Sequence, residues 1–230
     1  MERKNTVKVA IIDNSIYPEI YNPAGHWRRY LDVEWASFEA KKSRFPDFKN
    51  GFTHIILTGS ESSVLERDKW VYEEIEVIQE AVEKGCSILG SCYGHQLLAM
   101  ALAGPSCVQR SEKPEVGWIS IQIKELNNIL GEKKRAYSFS SHFDEVVNLK
   151  ESFTILASSK HCQIQAFQLK NKPIWGLQIH PEMDVPSAKR FLRDLIRSGF
   201  ANKDVFEEAL RSNPRESGLI WQIVKTFLKA

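Results

Sequence analysis

The stretch Leu89-Gly90-Ser91-Cys92-Tyr93-Gly94-His95-Gln96 decides how this chain is read. An apolar run ends at Ile88 and Leu89, and a helical pattern begins at Leu97, Leu98, Met100, Ala101 and Leu102. A strand that turns sharply into a helix strains the backbone of the residue at the corner. Glycines two positions either side, Gly90 and Gly94, let strand and helix pass close together. These are the mechanics of a nucleophile elbow, with a cysteine at the corner. The plainer alternative is a buried cysteine in a glycine-containing turn, because free cysteine packs as a small hydrophobe.

Outward from the elbow, residues 7–12, 33–38 and 53–58 read as β-strands, and Ser87, Ile88 and Leu89 as the strand that feeds the corner. Val71, Ile75, Ile78 and Val82 recur at the spacing of one helix face, with Asp68 as the cap and Gly85 as the stop. Strands alternating with helices predict an α/β fold: a layered, mostly parallel central sheet flanked by helices. The near-continuous apolar strands fit a sheet covered on both faces. Ligands of such sheets sit at the carboxyl ends of the strands, where both the elbow and Gly59 fall.

Residues 118–123, 136–139, 154–157, 164–168 and 174–179 read as further strands. The turn Asn171-Lys172-Pro173 makes part of this region antiparallel. Helical patterns return near Pro186, with Phe191, Leu192, Leu195 and Ile196 on one face. A final amphipathic segment carries Leu219, Ile220, Ile223, Val224, Phe227 and Leu228 and is expected to close the domain's own core. With no repeat, low-complexity tract or linker, one domain over residues 1–230 is expected, with a C-terminal helical extension from about 186 to 230.

The charge balance of 31 basic against 29 acidic residues leaves +2, which shows no bulk footprint for nucleic acid or a membrane surface. Met1 to Thr6 is charged and lacks the apolar core of a signal peptide, and no apolar run approaches the ~20 residues of a membrane span. The four cysteines, Cys86, Cys92, Cys107 and Cys162, include no Cys-x-x-Cys pair, so no metal site is expected. A reducing cytoplasm is the expected compartment.

A cysteine nucleophile needs a base, and the base needs a third group to orient it. The helix after the elbow aims its N-terminal dipole and free N–H groups at the sulfur, which favours the thiolate. Among six histidines, His180 is best placed, because it follows the apolar run Trp175-Gly176-Leu177-Gln178-Ile179 at its carboxyl end. Glu182 lies two residues on across the stiff Pro181, in position to fix the imidazole tautomer. Asp184 competes for that role without the stiff link. His95 is too close to Cys92 in sequence to face it and reads as structural, as His26, His54 and His161 read as structural or surface residues. Cys86, Cys107 and Cys162 read as packing residues. Acyl transfer also needs N–H donors for an oxyanion, and Tyr93 and Gly59 are the candidates.

Taken together, the elbow and Gly176-Leu177-Gln178-Ile179-His180-Pro181-Glu182 resemble the class I (triad-type) glutamine amidotransferases, with the nearest likeness to the amidotransferase domain of GMP synthase. Ser141-His142-Phe143-Asp144-Glu145-Val146 matches that group's Ser-His-x-Asp-x-Val stretch. Leu156-Ala157-Ser158-Ser159 and Gln165-Ala166-Phe167 fit its later strands, and the likeness covers about residues 50–185.

The resemblance implies that Cys92 attacks the side-chain amide of glutamine, His180 shuttles protons and Glu182 orients His180. A γ-glutamyl thioester would form with loss of ammonia, then hydrolyse to glutamate. It further implies that Gln96 and the backbone of Ser141, His142 and Phe143 hold the amino-acid end of the substrate. Gly59 and Tyr93 supply the oxyanion hole, and Ser60 lies in the same substrate loop. No cofactor is implied. The loop Gly59-Ser60-Glu61 departs from the Gly-Gly-Pro or Gly-Ser-Pro of many relatives, and Glu61 in place of proline is expected to leave it less rigid.

The chain carries neither the Ser-Gly-Gly-x-Asp-Ser loop of an ATP pyrophosphatase nor a Gly-x-x-x-x-Gly-Lys-Ser/Thr loop, so an ammonia-accepting synthase would be a separate protein. The same triad would also serve a γ-glutamyl peptidase or hydrolase acting on γ-glutamyl peptides or conjugates. A non-catalytic regulatory protein of the same fold is a third reading, against which the intact Cys92, His180 and Glu182 stand.

Overall fold

The computed structural model describes residues 6–124 and 129–230. The charged start of the chain, as far as Asn5, lies outside the described residues. Among the described residues, one sheet is formed by β1 (Lys8–Asp13), β2 (Glu34–Glu39), β3 (His54–Leu57), β4 (Ser87–Ser91), β5 (Val108–Ile123), β6 (Arg135–Val146), β7 (Phe153–Ser158), β8 (Ala166–Leu169) and β9 (Ile174–Leu177). Their spatial order is β2-β1-β3-β4-β9-β8-β7-β5-β6. From β2 to β9 every pairing is parallel, and from β9 to β6 every pairing is antiparallel. β9 therefore runs parallel to β4 on one side and antiparallel to β8 on the other.

Strand pleating sorts the apolar residues into two layers. Ala10, Ile12, Ile55, Leu57 and Ile88 face α2 (Lys69–Glu83) and α3 (Tyr93–Ala103), which bring Trp70, Val71, Ile78, Leu97 and Leu98. Val9, Ile11, Ile56, Leu89 and Leu177 face the other way, against Trp27 of α1 (Pro23–Trp27) and α6 (Leu219–Phe227). Leu219, Ile220, Ile223, Val224 and Phe227 are all buried there, each contributing about 1.5–3 kcal/mol by removal from water. The final helix thus closes the core, as its pattern predicts. A third cluster joins α4 (Val185–Arg197) and α5 (Lys203–Arg211) to Phe139 and Tyr21.

Several boundaries differ from the sequence reading for identifiable reasons. β5 begins well before Trp118, because a bulge between Arg110 and Glu115 absorbs Pro114, which has no N–H to give to a ladder. β8 starts only at Ala166, where the β7–β8 register shifts between Ile155 and Ala157; the Gln165 side-chain amide donates to Glu115 Oε2 at 2.7 Å. β9 ends at Leu177, yet the backbone continues, with Gln178 N–H on Gln165 O at 2.8 Å. Asp68 stands at the start of α2 without capping it; its carboxylate accepts from Trp70 Nε1 at 3.3 Å. Gly85 does follow α2, at φ +74°. The short α1 is an addition to the sequence reading: Asn22 caps it through Gly25 N–H at 2.8 Å and Pro23 opens it. No helix among the described residues is long and apolar enough to cross a membrane.

Candidate active site

Cys92 sits between β4 and α3 with φ +49° and ψ −104°, a conformation that L-residues avoid. Its own N–H is held by Leu177 O of the neighbouring β9 at 2.8 Å. Gly94 N–H bonds Thr58 O at 3.0 Å, tying the first turn of α3 to the end of β3. A side chain at Gly90 would strike Gly94 O, and one at Gly94 would strike Leu57 O, so both glycines are there for close passage. Tyr93, the first helical residue, keeps an N–H that the intrahelical ladder does not use.

His180 arrives by a different route. Its N–H bonds Phe139 O of β6 at 2.9 Å, which fixes the backbone after β9. Nδ1 lies 2.8 Å from Glu182 Oε1, and the ring lines the same cavity as Cys92. All three side chains are buried. Burial alone would push the imidazole pKa down, but the adjoining Cys92 and Glu182 charges outweigh it and raise His180 to about 10. Burial likewise acts to raise Glu182, and is outweighed by His180 and Tyr21, which hold the carboxyl below its usual range.

Asp184 takes no part in this cluster. It caps α4 through Ser187 N–H at 2.8 Å and pairs with Arg29 at 3.3 Å. His95 is buried against the Phe167 ring, and desolvation pushes its pKa down to about 3, so it is a neutral packing group. Cys86, Cys107 and Cys162 are buried free thiols whose pKa values burial raises. Among the described residues no cluster suited to a metal ion occurs.

The sulfur opens onto a cavity of about 530 Å³ that includes Gly59's neighbours Ser60 and Glu61, with Tyr93, Gln96, Ser141, His142 and Phe143. Ser141 O is 3.6 Å from Cys92 Sγ. Gln96 and His142 reach the cavity but direct polar atoms into the protein. Gln96 Nε2 donates to Asp144 O at 2.9 Å, while His142 Nδ1 lies 2.9 Å from the same carbonyl and Nε2 3.4 Å from Glu115. Phe143 stands edge-on to Phe206 of α5. Gly59 packs so tightly that an added Cβ would lie 2.6 Å from His180 Cε1.

Two features are not evident from the sequence. Tyr21, just ahead of α1, donates its hydroxyl to Glu182 Oε1 at 2.7 Å and lies 3.4 Å from His180 Nδ1. Ser91, the residue before the cysteine, bonds Glu182 Oε2 at 3.3 Å. The Asn22-Pro23 helix start could have flagged Tyr21's neighbourhood, but nothing in the sequence links it to Glu182. Glu61 corrects an expectation. Its carboxyl is half-buried and accepts from Ile16 N–H at 2.9 Å, with Ser15 Oγ at 3.1 Å, so the loop without proline is tied to the segment after β1.

The family model of the class-I glutamine amidotransferases matches residues 10–197. A glutamine-hydrolysing GMP synthase subunit of Thermococcus kodakarensis is 35% identical over 169 residues, 68% of this chain and 81% of that protein. The corresponding subunit of Sulfolobus acidocaldarius is 36% identical over 67% of this chain and 79% of its own length. In Methanocaldococcus jannaschii the match is 39% identical but spans only 56% of that protein. A glutamine amidotransferase structure from Thermotoga maritima superposes with a TM-score of 0.75, covering 98% of this chain and 99% of that one. Its 21% identity makes that a likeness of fold alone. On the family match and these relatives, the chain belongs to the class-I glutamine amidotransferases, which are cysteine-dependent amidohydrolases.

Proposed function

We propose that the chain hydrolyses the side-chain amide of glutamine at Cys92. One observation carries the reading: a cysteine at a positive-φ corner shares its cavity with His180, whose Nδ1 lies 2.8 Å from a buried Glu182. The Cys92 thiolate attacks the amide carbon, and charge develops on the carbonyl oxygen between the N–H groups of Gly59 and Tyr93. The His180 imidazolium gives its proton to the departing nitrogen, which leaves as ammonia, and a γ-glutamyl thioester remains. Neutral His180 then takes a proton from water, whose oxygen attacks the thioester and releases glutamate. Glu182 fixes the tautomer and balances the imidazolium charge throughout.

The amino-acid end of glutamine is assigned to Gln96 and the backbone of Ser141, His142 and Phe143, with Ser60 on the opposite wall. Because Gln96 and His142 are engaged internally, they act by holding the 141–144 backbone in shape. No metal or organic cofactor enters these steps. Ammonia is assigned to a separate synthase protein. That reading is supported by relatives named as subunits of GMP synthase. We place the chain in the cytoplasm, as one domain with its helical extension, supported by four free thiols and the packing of α6 onto the sheet.

The test is glutamate release by the isolated protein from glutamine and from a γ-glutamyl dipeptide. Release from glutamine that disappears in Cys92→Ala supports the reading. Release from the dipeptide alone moves the protein to γ-glutamyl peptide hydrolysis, and an active Cys92→Ala variant overturns the nucleophile.

A further inference from the structure

The Ser15 hydroxyl has one proton and two neighbours that both ask for it. Ser15 Oγ lies 2.8 Å from Tyr21 O, a carbonyl that can only accept, and 3.1 Å from Glu61 Oε1. If Glu61 is ionised, one of these contacts faces an acceptor with no proton between them. If Glu61 carries a proton on Oε1, every contact is matched. Glu61 donates to Ser15, Ser15 donates to Tyr21 O, and Glu61 Oε2 still accepts from Ile16 N–H at 2.9 Å.

We propose that Glu61 is a positioning residue which, in its protonated form, locks the Gly59–Glu61 loop to the segment that presents Tyr21 to Glu182. The connection runs from the proposed oxyanion loop through Ser15 to the Tyr21 backbone, and Tyr21 Oη ends it on Glu182 Oε1 at 2.7 Å. Glu61 therefore couples the two sides of the site, the hole for the oxyanion and the carboxylate behind the imidazole. The inference rests on the proposed roles of Gly59 and Glu182.

The surroundings agree with a held proton. Burial raises the Glu61 carboxyl to about 7, against the pull of nearby backbone N–H groups. The charged and titratable groups around it are Asp13, whose Oδ1 accepts from Ser15 N–H, and Tyr21, Glu66, Cys92, Tyr93, Arg110, Glu112, His142, Asp144 and His180, which share its cavity. Asp13 is itself raised by burial, to about 6, so Asp13→Asn is the control that separates its titration from that of Glu61. His180, at about 10, titrates above it.

Glu61→Gln reproduces the protonated form, with an amide NH₂ toward Ser15 and a carbonyl toward Ile16. Expected for glutamine hydrolysis is a wild-type kcat that falls about fivefold to tenfold between pH 6 and pH 8, and a Glu61→Gln variant that keeps its pH 6 rate across that range. Glu61→Ala should lower kcat about tenfold at pH 6 with KM within about twofold, at unchanged circular dichroism. Asp13→Asn should retain the wild-type fall. Infrared difference spectra of wild type against Glu61→Gln at pH 6 should show a protonated carboxylic acid, and this arm needs no turnover. A carboxylate band there, or a Glu61→Gln profile that falls as wild type does, overturns the proposal. A wild type with the acid band but no glutamate release would instead overturn the reading of the site.

Discussion

Tyr21 and His180 converge on one oxygen of Glu182, the phenol at 2.7 Å and the imidazole Nδ1 at 2.8 Å. The carboxylate that steadies the imidazole is thus itself steadied by a residue from the far end of the sequence. Tyr21→Phe keeps the ring packed against Phe191 and removes only the donor. The expected result is a kcat for glutamine hydrolysis lower by about tenfold, with a fold that persists but loses about 1.5–3 kcal/mol of stability as the buried carboxylate loses a donor. Wild-type kcat in this variant would remove Tyr21 from the site.

The backbone at Cys92 makes a second expectation. A residue with a Cβ at φ +49° stores strain that glycine does not. Among inactive variants, Cys92→Gly should therefore be at least as stable as Cys92→Ala, because relief of about 1–3 kcal/mol of strain offsets the roughly 0.4–1 kcal/mol of glycine's unfolded-state entropy. A urea midpoint for Cys92→Gly clearly below that of Cys92→Ala would show that the corner is unstrained.

Gly59 and Gly94 should fail in different ways. An alanine at 59 would meet His180 Cε1 at 2.6 Å, a side-chain atom, and should cost on the order of a hundredfold in rate while the fold survives. An alanine at 94 would meet the Leu57 backbone and should lower stability itself. Thermal melts alongside rates separate the two, and equal loss of stability in both variants would contradict the placement of Gly59.

Glu74 is buried on α2, and desolvation raises its carboxyl to about 8. Because the folded value lies above the unfolded one, the folded state binds the extra proton between about pH 4.5 and pH 8, and stability falls as pH rises through that window. Glu74→Gln should abolish this loss, gaining on wild type by a few kcal/mol at pH 9 relative to pH 4. Denaturant titrations at both pH values measure it; a constant difference between the proteins would contradict the assignment.

The elbow and the His180–Glu182 pair are legible in the sequence because each is a local pattern, a strand end plus a short turn. The parallel strands are legible for a similar reason, since both faces of β1, β3 and β4 are covered and their residues are apolar almost without a break. Tyr21 is not legible, because its link to Glu182 spans 161 positions and depends on how the first loop folds across the sheet. The early part of β5 is hidden by Pro114, whose meaning depends on the bulge opposite β6. Glu61 misleads for the same kind of reason: a substitution that removes local stiffness can be offset by a distant contact.

β9 has one neighbour of each orientation, and it carries His180, the proposed base, toward Cys92 at the end of β4. The site thus draws on both halves of the sheet: Cys92 N–H meets Leu177 O at 2.8 Å within the parallel half, and His180 N–H meets Phe139 O of β6, in the antiparallel half, at 2.9 Å. Neither half holds a working constellation without the other. Loss of activity in denaturant should then coincide with collapse of the whole sheet, and the Cys92 amide should exchange with solvent as slowly as the most protected core.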